Sequence, residues 1–288
     1  MRLEDLPPLR ETLATHGLLA KKRFGQHFLL DLNVTRKIAR LAGPLEGRAV
    51  IEVGPGPGGL TRALLETGAT VIAIEKDPRF LPLLAELADA ADGRLVVVEA
   101  DALDVDEAAL LAAHAPGLPC RIVANLPYNV GTPLLIKWLT GRFRPESMTL
   151  MFQKEVADRM AAQAGEDAYG RLSVIVQATS RAEVAMDLPA RAFTPPPKVA
   201  SAVVNLVPRE DRPSDELLAA LETVTRAAFG QRRKMLRSSL KALGGEALCE
   251  AAGIEPDARA EVVGVEGFLG LAQTSLVLSK RSAVSIDG

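Results

Sequence analysis

The sequence predicts an α/β protein: a mostly parallel, doubly covered sheet followed by a small helical domain. Three observations carry this. Apolar runs of strand length alternate with helix-like segments through the first two thirds of the 288 residues, the pattern of repeated βα units. The pattern changes after Gly170, where strand-like runs follow one another without a crossover helix. A polar, proline-containing linker, Arg209-Glu210-Asp211-Arg212-Pro213-Ser214-Asp215, then introduces a stretch of helix-like segments.

In order, Ala49–Val53 reads as the first strand, followed by a glycine turn and a helix through Leu60 to Glu66. Val71–Glu75 is the next strand, with a helix around Phe80 to Ala88 behind it. Leu95–Glu99, Arg121–Ala124 and Ser147–Phe152 continue the series. Leu172–Ala178 and Ser201–Val207 are expected to close the sheet as an antiparallel pair, giving seven strands. Past the linker, Glu216–Phe229, Arg232–Ala242, Glu246–Ala252 and Val265–Ser279 are expected helices, broken at Gly244-Gly245 and Pro256. The expected division is an N-terminal extension over 1–20, a catalytic domain over 21–208 and a helical domain over 209–288.

A hydrophobic content of 48% is enough for a sizeable core. No run approaches the roughly 18 to 20 apolar residues that cross a bilayer, and the first residues carry no apolar segment of a secretion signal. Cys120 and Cys249 lie far apart without metal-ligand spacing and read as reduced thiols of a cytoplasmic protein. His16, His27 and His114 form no metal cluster, so no metal is expected. The net charge of −2 hides an asymmetry. Between Glu222 and Glu246 there is no acidic residue, while Arg226, Arg232, Arg233, Lys234, Arg237 and Lys241 fall there. Lys21-Lys22-Arg23 forms a second cluster, with Arg36, Lys37 and Arg40 beyond it. One such cluster is ordinarily a solvated face. Two of them flanking Asn125-Leu126-Pro127-Tyr128, a stretch whose amide, carbonyl and ring can hold a planar base, point to a polyanion surface.

Glu52-Val53-Gly54-Pro55-Gly56-Pro57-Gly58-Gly59 joins the first strand to its helix. Glycines such as Gly54 and Gly56 let the backbone turn sharply and approach a ligand, and the helix start offers free N–H groups. Glu75 ends the second strand, 21 residues after Gly54, where it can accept from both ribose hydroxyls. Gly54, Gly56 and Gly59 also satisfy G-x-G-x-x-G, a weak match to a dinucleotide site when it stands alone. Glu52 argues against a nicotinamide cofactor, because a carboxylate is unhelpful beside a pyrophosphate yet suits an amino-acid ammonium. Asp101, after the third strand, can accept from an adenine amine. Ribose, adenine and a charged amino-acid tail together describe S-adenosyl-L-methionine.

Asn125-Leu126-Pro127-Tyr128 follows the strand Arg121–Ala124, at the carboxyl end where open α/β sheets place their chemistry. The Asn125 amide oxygen and the Leu126 carbonyl can accept both hydrogens of an exocyclic amine, Pro127 stiffens the turn, and Tyr128 can stack on a base. Alone, an Asn-x-Pro stretch is more often a plain turn.

With these residues assembled, the chain resembles the small-subunit ribosomal RNA adenine dimethyltransferases, the KsgA/RsmA family, from Lys21 to about residue 280. The matching stretches begin with Phe24-Gly25-Gln26-His27-Phe28-Leu29, the Glu52–Gly59 loop, Glu75 and Asp101. They continue with Asn125–Asn129 and Thr132–Leu135, then Phe193–Val199 with Ser201, and finally Phe229–Arg237. The combination and its order are specific, although single pieces are shared by many methyltransferases. The resemblance implies a Rossmann-like class I methyltransferase that dimethylates N6 of two adjacent adenosines in the 3′-terminal hairpin of 16S rRNA. The substrate would be that RNA within a 30S subunit or precursor, and the enzyme a cytoplasmic monomer. The resemblance places cofactor contacts on His27, Leu29, Gly54, Glu75, Asp101 and Asn125, with Gly56 in the same turn. It places the base at Asn125, Leu126, Pro127 and Tyr128, with Phe193 a candidate for its opposite face. Arg232, Arg233, Lys234, Arg237 and Lys241 are expected on RNA phosphates, Arg233, Arg237 and Lys241 spaced four apart on one helical face. His27 departs from the family's usual asparagine, but an imidazole can also donate or accept one hydrogen bond.

Three rivals remain. An Erm-like 23S rRNA methyltransferase shares the early motifs, but the Phe193–Val199 and Arg232–Arg237 stretches resemble the small-subunit family better. A non-catalytic assembly factor would be expected to carry a degraded glycine loop or a damaged Asn-Leu-Pro-Tyr, and both are intact. A dehydrogenase would have to accommodate Glu52 and lacks a convincing hydride site.

Overall fold

A computed structural model of the protein describes residues 2–18, 27–231 and 233–284. The chain forms two compact units. One comprises Met1–Lys137, Phe143–Ala157 and Glu183–Val207, and the other Trp138–Arg142, Asp158–Ala182 and Pro208–Gly288. The second unit thus takes in two stretches that lie before the linker.

The chain opens with α1 (Leu9–Thr15), β1 (Phe28–Leu29) and α2 (Leu32–Leu41). Asp31 caps α2 by accepting from the Asn33 N–H at 2.8 Å. Then come β2 (Ala49–Val53), α3 (Gly59–Glu66), β3 (Thr70–Glu75), α4 (Leu81–Asp89), β4 (Leu95–Glu99), α5 (Glu107–His114) and β5 (Cys120–Asn125). After them run α6 (Gly131–Thr140), β6 (Met148–Gln153) and α7 (Lys154–Ala161). The next elements are α8 (Arg171–Thr179), β7 (Ser180–Leu188), β8 (Phe193–Thr194) and β9 (Ser201–Pro208). The chain ends with α9 (Asp215–Phe229), α10 (Leu236–Ser239), α11 (Gly245–Ala251) and α12 (Val265–Val284).

The seven-stranded sheet has the order β4-β3-β2-β5-β6-β9-β7. The strands from β4 to β6 pair in parallel, and β9 joins β6 antiparallel. β2 is buried along its whole length, which is why it reads as an apolar run interrupted only by Glu52. The order reverses between β2 and β5, so the loops after these adjacent strands meet at a topological switch point. The core beneath includes Val50, Leu64, Val71, Val123, Met151 and Val203. In the other unit, Tyr169, Val174, Leu221, Leu248 and Phe268 centre a separate core.

Three expectations are corrected. Leu172–Ala178 is not a strand but most of α8. A fully apolar run does not distinguish a buried strand from a helix buried all round, and α8 packs against both α9 and α12. Ser173 secures its start, accepting from the Gly170 N–H at 3.1 Å. The seventh strand is instead Ser180–Leu188, whose polar residues mark it as an edge. Of the helix expected over Arg232–Ala242, the described residues from Arg233 onward form only α10 and a short 3-10 turn at Lys241–Leu243. Arg233 precedes α10 in a turn, so Arg233 and Arg237 do not share a helical face. Sequence reading did not anticipate the two-stranded ribbon of β1 and β8.

Candidate active site

At the switch point a cavity of about 720 Å³ opens, within the roughly 300–1,000 Å³ typical of small-molecule sites. Its walls bring together the glycine turn after β2, Glu75 at the end of β3, Asn125–Asn129 after β5, His27–Leu29 at β1, and Phe193 of β8. Of the residues expected at cofactor and base, only Asp101 lies outside this wall.

The glycine turn is shaped by close approach. Gly54 has φ 68°, and a Cβ there would meet the Pro127 ring at 3.4 Å. The cofactor turn and the Asn-Leu-Pro-Tyr turn are therefore in direct contact. Gly56 has φ 53°, and a Cβ there would press on the Phe28 ring at 3.3 Å. Both positions favour glycine for their left-handed backbone, and Gly56 for steric reasons as well. Glu75 fastens this turn. Its Oε2 accepts from the Gly56 N–H at 3.0 Å and its Oε1 from the Asp77 N–H at 2.8 Å. Burial raises the Glu75 carboxyl above its ordinary range, while these N–H bonds oppose the rise. Each oxygen keeps a further lone pair for a ligand hydroxyl.

Glu52 is 1% exposed. Its Oε2 and the nearby Thr61 hydroxyl lack a hydrogen-bond partner among the described residues. Burial pushes the carboxyl up to about 8; the adjacent Thr61 hydroxyl opposes the rise and the Glu75 carboxylate adds to it. A buried acceptor left open in a cavity wall is poised for a cationic or N–H-bearing ligand.

Asp101 stands to the side. Its Oδ2 is held by the Lys76 ammonium at 2.6 Å and its Oδ1 by the Leu103 N–H at 3.0 Å. Lys76 holds the Asp101 carboxyl below its ordinary range, and Lys76 is itself a wall residue. Sequence reading missed Lys76 because a lone exposed lysine carries no pattern.

At the end of β5, the Pro127 carbonyl accepts from the Val130 and Gly131 N–H groups at 3.1 and 3.0 Å. That closes the turn into α6. The Asn125 side-chain amide and the Leu126 carbonyl, in contrast, make no hydrogen bond among the described residues. Two acceptors are thereby left open beside a half-buried tyrosine. Phe193 is 3% exposed and packs into the core with Leu29 while contributing to the cavity wall. His27 bonds the Pro195 carbonyl at 2.7 Å.

A family described as Ribosomal RNA adenine dimethylase matches residues 17–275. The chain belongs to that family. The Ribosomal RNA small subunit methyltransferase A of Phenylobacterium zucineum is 69% identical over 99% of this chain and 98% of its own length. A dimethyladenosine transferase from Plasmodium falciparum superposes with TM-score 0.68 at 26% identity, covering 85% of this chain and 96% of its own. The 23S rRNA methyltransferase ErmE gives TM-score 0.62 at 27% identity, covering 86% of this chain and 98% of its own. The methyl donor of the family is S-adenosyl-L-methionine, and the cavity fits it. Glu75 offers lone pairs for a ribose, Glu52 an open buried acceptor for the amino-acid end, and the glycine turn a bare backbone between them.

The basic residues expected on RNA phosphates, from Arg232 to Lys241, belong to the other unit. Arg232 lies outside the described residues, as do Lys21, Lys22 and Arg23. Arg233, Lys234 and Lys241 are exposed and form no ion pair among the described residues. Arg237 pairs with Asp257 at 3.0 Å in a depression that also holds Glu246, Glu250 and Glu255. Its charge is therefore partly spent within the protein. No described helix is long and apolar enough to cross a membrane.

Proposed function

We propose that this protein transfers methyl groups from S-adenosyl-L-methionine to N6 of two adjacent adenosines in the 3′-terminal hairpin of 16S rRNA, two per base. The observation that carries this reading is the pair of open acceptors, the Asn125 amide and the Leu126 carbonyl, at the switch point beside the glycine turn. The donor supplies an already activated methyl group, so neither a metal nor a covalent enzyme intermediate is needed. The protein's task is orientation. An adenine amine is a weak nucleophile because its lone pair is delocalised into the ring. Accepting its hydrogens at Asn125 and Leu126 favours a more tetrahedral nitrogen with its lone pair aimed along the cavity. A base must leave its stack to reach this depth, and Tyr128 offers it a new stacking face. Phe193 closes the opposite side. After one transfer N6 retains a single hydrogen, and one of the two acceptors suffices for the second.

The target is RNA held within a 30S subunit or its precursor by a cytoplasmic monomer. Residues 21–208 carry the transfer chemistry, and residues 209–288 carry phosphate contacts through Arg232, Arg233, Lys234, Arg237 and Lys241. The 69% identity to a small-subunit enzyme, against 27% to ErmE, favours 16S over 23S rRNA. Primer extension on both rRNAs from a strain lacking the gene tests the choice. The reading expects stops at two adjacent adenosines of 16S rRNA to vanish and 23S stops to persist. The converse pattern would favour the Erm-like activity.

A further inference from the structure

Tyr128 projects from a turn whose backbone is already fixed by the Pro127 carbonyl. Its side chain still has two rotors, so the plane of the ring depends on what holds its far end. Ser201 does this. The Tyr128 phenol and the Ser201 hydroxyl share a hydrogen bond of 2.7 Å. Ser201 is fully buried at the first position of β9 and lies opposite Gln153 of β6 in the ladder. A hydroxyl pinned in the sheet is a rigid anchor, whereas one on a loop would drift with it.

A second contact bounds the ring from the side. The His27 and Tyr128 ring centroids lie 6.1 Å apart at 30°. The Pro195 carbonyl can only accept, so His27 Nδ1 carries the proton and donates to it at 2.7 Å. The β1–β8 ribbon, with Phe28 opposite Thr194 and Leu29 opposite Phe193, ties the same two segments together. The tyrosine is thus anchored at its tip and flanked by a fixed ring.

We propose that Ser201 is a positioning residue of the methyl-transfer site: its hydroxyl holds the Tyr128 phenol and so sets the tilt of the ring on which the target adenine stacks. The inference rests on the adenine-methylating function proposed above. Stacking on an aromatic face is sensitive to tilt, and a small misplacement of the amine costs rate more than affinity. Removing the hydroxyl leaves no sizeable cavity, so the effect is read at the ring.

The test uses the full-length chain with undermethylated 30S subunits and compares S201A, Y128F and the double variant. One lost hydrogen bond predicts that S201A lowers kcat roughly two- to tenfold, with the donor dissociation constant unchanged. Y128F removes the same bond and should lose a similar amount, and the double variant should be no worse than either alone. An unchanged kcat in S201A, donor affinity falling in step with kcat, or losses that multiply in the double variant would each overturn the inference. A second readout needs no turnover. The chain has two tyrosines, and Tyr169 donates to the Val263 carbonyl at 2.9 Å, away from Ser201. With fluorotyrosine at both, S201A should move the Tyr128 fluorine resonance alone. Equal movement of both would mean general loosening and overturn the assignment. If the unsubstituted chain fails to methylate 16S rRNA, the proposed function falls and this inference with it. An active chain indifferent to S201A sinks the inference alone.

Discussion

Glu52 offers a prediction that can be worked from burial alone. Its carboxyl stands at about 8 in the folded protein against an ordinary 4.5, because the side chain is buried with one oxygen open. Below about pH 4.5 the group is protonated folded or unfolded and contributes no pH dependence. Between about 4.5 and 8 the folded state keeps a proton that the unfolded state releases, so stability falls as pH rises through that window. At about 1.36 kcal/mol for each pH unit, the loss by pH 8 is on the order of 5 kcal/mol. E52Q keeps the shape, cannot ionise, and escapes this loss. Urea unfolding of both proteins at pH 5.5 and pH 8.5 isolates the effect, because every other titrating group is common to them. The parent should weaken relative to E52Q by about 3 kcal/mol between these conditions. Stability curves that run parallel across the window would refute a neutral, buried Glu52.

The remaining predictions concern the ligands. A cation beside Glu52 expels its proton, so donor affinity measured by calorimetry should rise between about pH 6 and 8 in the parent and should not rise in E52Q. N125A should reduce methyl transfer at least about a hundredfold while leaving 30S binding nearly intact, as measured by single-turnover rates and filter binding. G56A forces a left-handed backbone onto alanine and drives a methyl onto Phe28, so equilibrium dialysis should show donor affinity falling about tenfold or more. Because Arg237 is already paired with Asp257, R233E should flatten the salt dependence of 30S binding more than R237E does.

The parts of the site that were legible in the sequence are those whose chemistry sits at strand ends. Glu52, Glu75 and Asn125 each follow an apolar run, and a parallel sheet delivers such residues to one edge. Asp101 shared that logic, yet Lys76 and the Leu103 N–H engage it beside the cavity wall. Sequence spacing gives a residue's level in the sheet and not its neighbours. Leu172–Ala178 misled because Val174, Ile175 and Val176 favour strands locally, whereas their burial between helices decided otherwise. Arg233 and Arg237 misled through periodicity. The Pro256 and Ala258 carbonyls accept from the Arg237 and Leu236 N–H groups at 3.0 and 2.8 Å, and a long helix there gives way to this pairing. The β1–β8 ribbon joins residues more than a hundred positions apart and leaves no local trace.

The methyl-transfer geometry requires that Asn125 and Leu126 grip an adenine amine facing the donor. A crystal structure with bound donor analogue and an adenosine-bearing RNA hairpin tests it most directly. N6 should lie within about 2.7–3.2 Å of both the Asn125 amide oxygen and the Leu126 carbonyl, with the donor's methyl position in line behind it. A methyl position turned away from Asn125, with no room for a purine between them, would contradict it.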